Sequence, residues 1–169
     1  MDKFVIRNGK REDCKEIMRL IKELADFEKK TEYVRINTET LEKDGFDTDN
    51  PAFYCIVAEH PENASELIGY VLYYIGYATW NGKRAYLNDI MVTEKFRKSG
   101  VGSLLFKQLC QEALKLDCKV INFRVLDWNP AIKFYKKIGA EDYTVKSGWH
   151  CFCLDESKIK EIVQINQKN

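Results

Sequence analysis

The sequence predicts a mixed α/β fold of the α+β kind, a mostly antiparallel sheet with helices on both faces. Three observations carry this. Apolar, partly β-branched segments crowd the middle of the chain around an Asn81-Gly82 hairpin signal. The segment Arg84 to Val92 passes through the turn Arg97-Lys98-Ser99-Gly100-Val101-Gly102 directly into a run with helical spacing. The element order reads β-α-α-β-β-β-α-β-α-β, an antiparallel meander joined to a parallel pair by one crossover helix.

Phe4 to Arg7 reads as a short strand ending at Asn8-Gly9. Asp13 can cap a helix whose Ile17, Leu20, Ile21 and Leu24 form one apolar face. Glu23, Asp26 and Glu28 gather acid near that helix's end, where the macrodipole disfavours it. They suit a solvated face or a mouth that attracts cations. A second helix runs from Thr38 to Gly45, and strands over Phe53 to Ala58 and Leu67 to Tyr77 flank a loop with Pro61, Asn63 and Ser65. Arg84 to Val92 is apolar, partly β-branched and free of Gly and Pro, which predicts the central strand. Leu105, Leu109, Ala113 and Leu116 then recur near a 3.6-residue period, with Leu104 and Cys110 widening the stripe.

Val120 to Val125 reads as another buried strand. Asp127-Trp128-Asn129-Pro130 breaks the chain and opens a short helix through Ile138, stopped by Gly139. Glu141 to Thr144 and Trp149 to Leu154 read as a final strand pair, and Asp155 caps a C-terminal helix carrying Ile159, Ile162 and Val163. No repeat, low-complexity run or linker interrupts the chain, so residues 1–169 read as a single domain.

Composition narrows the function. Hydrophobic residues at 45% and charged residues at 31% fit a soluble globular protein. A net charge of +1 without a long basic run argues against nucleic acid as a partner. No membrane span is expected, because Leu67 to Tyr77 is too short and is broken by Gly69 and Gly76. The N-terminus has no signal-peptide hydrophobic region. Of six cysteines, Cys14, Cys55, Cys110 and Cys118 fall in or beside predicted elements, and Cys151 and Cys153 lie two apart on a predicted strand. With only His60 and His150 beside them, no metal site is expected. A cytoplasmic protein with free thiols follows.

The turn before the central helix carries the chemistry. A helix start offers unpaired N–H groups and partial positive charge, and glycines let that backbone approach a diphosphate closely. Arg97 and Lys98 add charge. The same Gly-x-Gly also suits a plain tight turn. It is not a Walker-type loop, since Ser103-Leu104 follows the second glycine, and the dinucleotide fingerprint would need glycine at Leu105.

What remains, Arg-x-x-Gly-x-Gly after a mid-chain strand, resembles the acetyl-CoA pyrophosphate loop of the GCN5-related N-acetyltransferase (GNAT) superfamily. The element order is also that of the GNAT fold, in which the central strand and the next one splay apart to receive acetyl-CoA. Further blocks resemble the diamine (spermidine/spermine) N-acetyltransferase family: Leu20 to Glu28, Asp44-Gly-Phe46, Phe53-Tyr-Cys55, Val57-Ala-Glu59, Tyr86-Leu87 and Asp89. Val125-Leu-Asp-Trp-Asn129 and Gly148-Trp-His-Cys-Phe-Cys153 are most similar to its thialysine N-acetyltransferase branch.

The resemblance implies site residues. Ile90, Met91 and Val92 correspond to the strand that contacts acetyl-CoA. Arg97, Lys98, Ser99, Gly100, Val101, Gly102 and Ser103 correspond to the pyrophosphate loop, and Asn129, Pro130 and Ala131 to a second CoA-contacting turn. Tyr135 matches the general-acid tyrosine that protonates the leaving sulfur. Glu28 matches an acidic substrate contact, with Phe27 in place of a tyrosine, and Asn88 and Asp89 lie beside the reaction centre. A homodimer is implied as well.

Three departures stand out. Polyamine-handling members carry acids where this chain has Asn88 and Ser147, and Asn129 reaches Tyr135 one residue sooner than usual. One residue is about 100° of rotation on a helix. Charge-assisted hydrogen bonds are worth about 1.5–3 kcal/mol each, so losing two carboxylates weakens the grip on a polycation. The function implied is acetyl transfer from acetyl-CoA to a small primary amine, thialysine- or lysine-like or a diamine or polyamine such as spermidine. Alternatives are an acyl-CoA-binding protein with little turnover and an acetyltransferase for protein lysines or N-termini.

Overall fold

The computed structural model describes residues 4–148 and 151–165. The chain divides into two compact units, Met1–Arg124 and Val125–Asn169.

The first unit is built on a five-stranded sheet in the order β1-β2-β3-β4-β5. The strands are β1 (Ile6–Asn8), β2 (Tyr54–His60), β3 (Asn63–Ala78), β4 (Gly82–Val92) and β5 (Val120–Phe123). Neighbours pair antiparallel except β4 and β5, which are parallel. The predicted hairpin joins β3 to β4, with Ala78 opposite Gly82. Helix α3 (Val101–Lys115) makes the crossover between the parallel strands.

Each face of the sheet has its own core. Leu105, Leu109 and Ala113 of α3 pack with Ile56, Val71, Tyr73, Ala85 and Leu87. On the other face, Ile17, Met18 and Leu20 of α1 (Cys14–Phe27) and Leu41 of α2 (Thr38–Gly45) pack with Cys55, Val57, Tyr70 and Met91. The predicted apolar stripes of both long helices are therefore the buried ones. Truncating a fully buried leucine such as Leu105 to alanine would cost about 2–5 kcal/mol.

The decisive irregularity is in β4. Asp89 pairs with Leu72 and Leu87 with Tyr73, so Asn88 is an extra residue, a β-bulge. Upstream of it the odd residues Ala85 and Leu87 face α3; downstream the even residues Ile90 and Val92 do, while Met91 faces α1. The bulge thus turns Asp89 to the α1 side. A second irregularity opposite Glu59 bends β3 near Leu67, and α1 satisfies the exposed backbone there. Arg19 Nη2 donates to the Leu67 carbonyl at 2.6 Å, and Glu16 accepts the Leu67 N–H at 3.2 Å.

Several expectations are corrected. Asp13 makes no side-chain cap on α1. Its carboxylate instead accepts the Lys10 N–H at 2.9 Å and two Arg7 N–H groups at 2.6 and 3.0 Å, closing a 3-10 turn. β5 ends at Phe123, short of Val125.

The second unit contains α4 (Ala131–Lys137), the short α5 (Tyr143–Lys146) and α6 (Glu156–Ile165). Among the described residues the expected final strand pair is not found. Asp142 accepts the Thr144 N–H at 2.9 Å and so starts a helical turn where Glu141 to Thr144 was expected to be extended. Residues 151–155, with the exposed Cys151 and Cys153, form no regular element, and Trp149 and His150 lie outside the described residues. Asp155 does cap α6, accepting the Lys158 N–H at 2.9 Å. No helix among the described residues is long and apolar enough to cross a membrane.

Candidate active site

β4 and β5 pair only from Arg84 to Leu87 and from Val120 to Phe123. β4 then runs on for five residues, Asn88 to Val92, with β3 along one edge and no β5 partner on the other. The two parallel strands part at the bulge, and alternate residues of β4 present main-chain donors and acceptors along the vacated edge. Ile90 and Val92 pack in one core and Met91 in the other. Any ligand lying along this edge therefore meets their backbone, not their side chains.

Beyond Val92 the loop Thr93 to Gly100 leads into α3. A 3-10 turn over Glu94–Phe96 is followed by Lys98 at φ 63 and Gly100 at φ 97, both left-handed. Gly100 is the N-cap of α3, and no side chain caps that helix. The first helical N–H groups, from Val101 to Ser103, thus have no intrahelical acceptor. A Cβ on Gly100 would meet nothing within 4 Å, and one on Gly102 only Val92 Cγ2 at 3.8 Å. The glycines' bare side is open, as close approach of a diphosphate requires. Gly69 is tight for a different reason, since a Cβ there would come within 2.7 Å of the Met91 carbonyl.

Arg97 is engaged at both ends. Its N–H donates to Glu94 O at 3.1 Å, its Nε donates to Val92 O at 3.1 Å, and its guanidinium carbon lies 4.6 Å from the Phe27 ring centroid. Two predicted site residues from distant parts of the sequence are thereby in contact.

The acids sort themselves. Glu23 accepts the Thr93 hydroxyl at 2.6 Å and an Arg19 N–H at 3.4 Å, so it ties α1 to the end of β4. Asp26 is exposed. Glu28 is half-buried, and its pKa lies above the usual carboxylate range, chiefly through burial and then through the charge of Asp89; Lys30 offsets part. Asp89 is also raised by burial, partly offset by hydrogen bonds from Tyr70 and Asn88. The Tyr70 hydroxyl, on a fully buried side chain, donates to Asp89 Oδ2 at 3.2 Å. Neither Glu28 nor Asp89 takes part in an ion pair among the described residues. Two partly buried carboxylates with no ion-pair partner among the described residues form a site that a positively charged ligand would relieve. Asn88 is exposed at the bulge.

Sequence reasoning missed Tyr70 and Thr93. A trace of the bulge is present in the sequence, as the α3-facing apolar positions step 85, 87, then 90, 92. Tyr86 and Met91 fill the other phase and hide the slip.

In the second unit, Asn129 Oδ1 accepts the Ala131 N–H at 2.9 Å and fixes the start of α4 behind Pro130. Tyr135 is 8% exposed, with its ring 5.4 Å from that of Phe134. Ser147 ends α5 and is exposed. Among the described residues no group of three or more His, Cys, Asp or Glu side chains could hold a metal ion.

The acetyltransferase (GNAT) family profile matches residues 14–140. Thialysine N-epsilon-acetyltransferase of Bos taurus is 41% identical over 164 residues, covering 94% of this chain and 96% of that one. The human spermidine/spermine N(1)-acetyltransferase-like protein 1 is 37% identical over 96% of this chain and 24% of that longer one. Among solved structures, an integron cassette protein from the mobile metagenome of V. cholerae superposes with a TM-score of 0.74 at 19% identity, covering 96% of this chain and 99% of the other. An aminoglycoside acetyltransferase from an uncultured soil metagenomic sample, solved with sisomicin, gives 0.72 at 17% identity, covering 91% and 98%. These last two bear on the fold alone. A vacated β4 edge, an uncapped glycine-led helix start and near full-length identity agree: the chain belongs to the GNAT acetyltransferase family, in the branch of the thialysine N-epsilon-acetyltransferases.

Proposed function

We propose that this N-acetyltransferase acetylates a small primary amine bearing one ammonium group near the carboxylates of Glu28 and Asp89, a thialysine- or lysine-like amine in preference to a long polyamine. The observation that carries this reading is the pair of acids Glu28 and Asp89 with no ion-pair partner among the described residues, Asp89 lying where β4 leaves β5. Family relatives named for thialysine support the amine class. The loop from Arg97 to Ser103 fits a diphosphate, and the main chain of Ile90, Met91 and Val92 fits the adjoining arm of acetyl-CoA. Asn129, Pro130 and Ala131 supply a second contact by resemblance.

Acetyl-CoA supplies the acetyl group as a thioester. Asp89 Oδ takes the proton that the substrate ammonium must lose, since Asn88 has no basic group. Burial makes Asp89 a stronger base than a surface carboxylate, and the Tyr70 hydroxyl fixes which oxygen is engaged. Glu28 orients the ammonium. The Tyr135 hydroxyl returns a proton to the departing sulfur. With no linker in its sequence, the chain acts over residues 1–169 as one domain, and the match over 14–140 crosses the unit boundary after Arg124. Its free thiols suit the cytoplasm, and the resemblance implies a homodimer.

A panel of thialysine, lysine, putrescine and spermidine with acetyl-CoA, read by mass spectrometry of the product, tests the proposal. N-acetylated thialysine at higher kcat/KM than acetylspermidine is expected; no product with any amine would refute it. Tyr135→Phe should lower kcat by roughly one to three orders of magnitude and leave acetyl-CoA affinity near wild type.

A further inference from the structure

We propose that Arg97 is a positioning residue for amine recognition: tethered to the Val92 carbonyl, its guanidinium stacks on Phe27 and holds the end of α1, with Glu28, against the end of β4.

The geometry that leads here is local. Phe27 is the last residue of α1, and Glu28 is the next residue, at the C-cap. The helix end is closed by main-chain bonds, Glu28 N–H to Leu24 O at 2.9 Å, Lys29 N–H to Asp26 O at 3.0 Å and Lys30 N–H to Ala25 O at 2.8 Å, with Lys29 itself in a left-handed conformation at φ 55. These bonds set the backbone at Glu28, and where its carboxylate lies relative to β4 depends on how the end of α1 is held there. The Phe27 ring is half-buried and lies under the Arg97 guanidinium at 4.6 Å. The Nε–H bond to Val92 O fixes the guanidinium over the ring. One turn further back, Thr93 donates to Glu23, a second tie between the same two segments.

The Glu28 pKa is raised by burial and by the charge of Asp89 and lowered by Lys30. Asp89 accepts hydrogen bonds from Tyr70 and Asn88. Arg97 meets the end of α1 at the ring of Phe27, the residue before Glu28. A flat, weakly hydrated guanidinium stacks on a ring in a way that a lysine ammonium cannot reproduce. The loop that begins the cofactor cradle thus also sets the wall of the amine site. The inference rests on the proposed function for its kinetic consequence, but the contact itself does not.

Two readouts test it in the full chain. In hydrogen exchange without substrate, Arg97→Gln and Phe27→Leu should each speed exchange at the amides of Lys29 and Lys30 several-fold, whereas Phe27→Tyr should leave it unchanged. In steady-state kinetics with thialysine, Arg97→Gln and Phe27→Leu should each raise the amine KM by roughly three- to fivefold. The double variant should do no worse than either single one, and Phe27→Tyr should be near wild type. CoA affinity measured by titration should change less than twofold in Phe27→Leu and Phe27→Tyr, which leave the loop itself intact. Arg97→Lys should fall with Arg97→Gln, since the planar stack is lost. The inference is overturned if Arg97→Gln weakens CoA binding and leaves the amine KM and the exchange rates alone, which is the signature of a phosphate ligand. It is also overturned if the two single effects on KM multiply. If wild type acetylates no amine while the exchange pattern holds, the proposed function fails and the positioning contact stands.

Discussion

The two ends of α1 carry the same kind of group in opposite circumstances. At the N-terminal end, the buried Asp13 is gripped by Arg7 and by the Lys10 N–H, and Arg7 also donates to Glu59 at 2.5 Å. At the C-terminal end, Glu28 feels the charge of Asp89, Asp89 accepts the Tyr70 hydroxyl, and neither carboxylate is in an ion pair among the described residues. Burial pushes Asp13 up as it does Asp89. Around Asp13 the arginine and the amide more than reverse the effect, and its pKa falls below the ordinary value. Around Asp89 the hydrogen bonds do not, and it stays raised. The molecule thus shows what a completed carboxylate site looks like beside one that is incomplete. Incompleteness in a buried site costs stability, and such cost concentrates where ligands or protons are handled.

Removing each carboxylate should separate the two roles. Asp89→Asn should lower kcat/KM for the amine by roughly two to four orders of magnitude, the scale of a lost general base, while the melting temperature at pH 7 holds or rises. Retained turnover would move the base elsewhere. Asp13→Ala should do the reverse. It leaves Arg7 half-buried with one carboxylate, Glu59, and the Asn8 carbonyl, so we expect a loss of about 2–3 kcal/mol, or a melting temperature lower by roughly 5–10 °C, with kcat intact.

Stability against pH should sharpen the contrast, because the signs differ. Asp13 binds its proton less readily folded than unfolded. Its contribution is present above the ordinary value of 3.8 and is lost as pH falls through the depressed one. Asp89 and Glu28 bind theirs more readily folded. Their contribution is present below the ordinary 3.8 and 4.5 and is lost as pH rises through the raised values. Thermal unfolding from pH 3 to 8 should therefore show the Asp13→Ala deficit growing toward neutral pH. The Asp89→Asn difference from wild type should become more positive over the same range. Parallel curves for wild type and Asp89→Asn would mean that the carboxylate is not desolvated.

This contrast also explains what could be read in advance. The loop into α3 was legible because it is written in backbone requirements: a left-handed Gly100, an uncapped helix and a strand before it all leave marks in the residue types. The apolar faces of α1 and α3 were legible from their period. The side to which Asp89 turns depends on the phase of β4, and the one-residue bulge at Asn88 is hidden where both phases are apolar. Nor could sequence say that Arg7 and Lys10 would hold Asp13 away from capping, since both lie in short segments without periodicity. Glu141 to Thr144 turns helical because Asp142 offers its carboxylate to Thr144, a local bond that outweighs the extended propensity of Tyr-Thr-Val.

The smallest effect concerns Asn88 and Ser147, which stand where polyamine-handling relatives carry acids. If a long polycation is poorly held for want of charge, restoring both as Asn88→Glu and Ser147→Glu should raise kcat/KM for spermidine by roughly three- to tenfold, and that for thialysine by less. Asn88 is exposed at the bulge, so a carboxylate there is well solvated and its help should fade as salt rises. The substitution also removes a side-chain hydrogen bond that now lowers the Asp89 pKa and adds a like charge beside it. Both changes raise the proton affinity of Asp89. In the double variant Asp89 therefore stays protonated to higher pH. If Asp89 is the base, the acid limb of the thialysine pH profile should shift upward even as spermidine turnover improves. If the introduced Glu takes over as base, the limb should shift downward. Equal gains for both amines, with no movement of the limb, would mean that Glu28 and Asp89 already supply all the negative charge that either substrate uses.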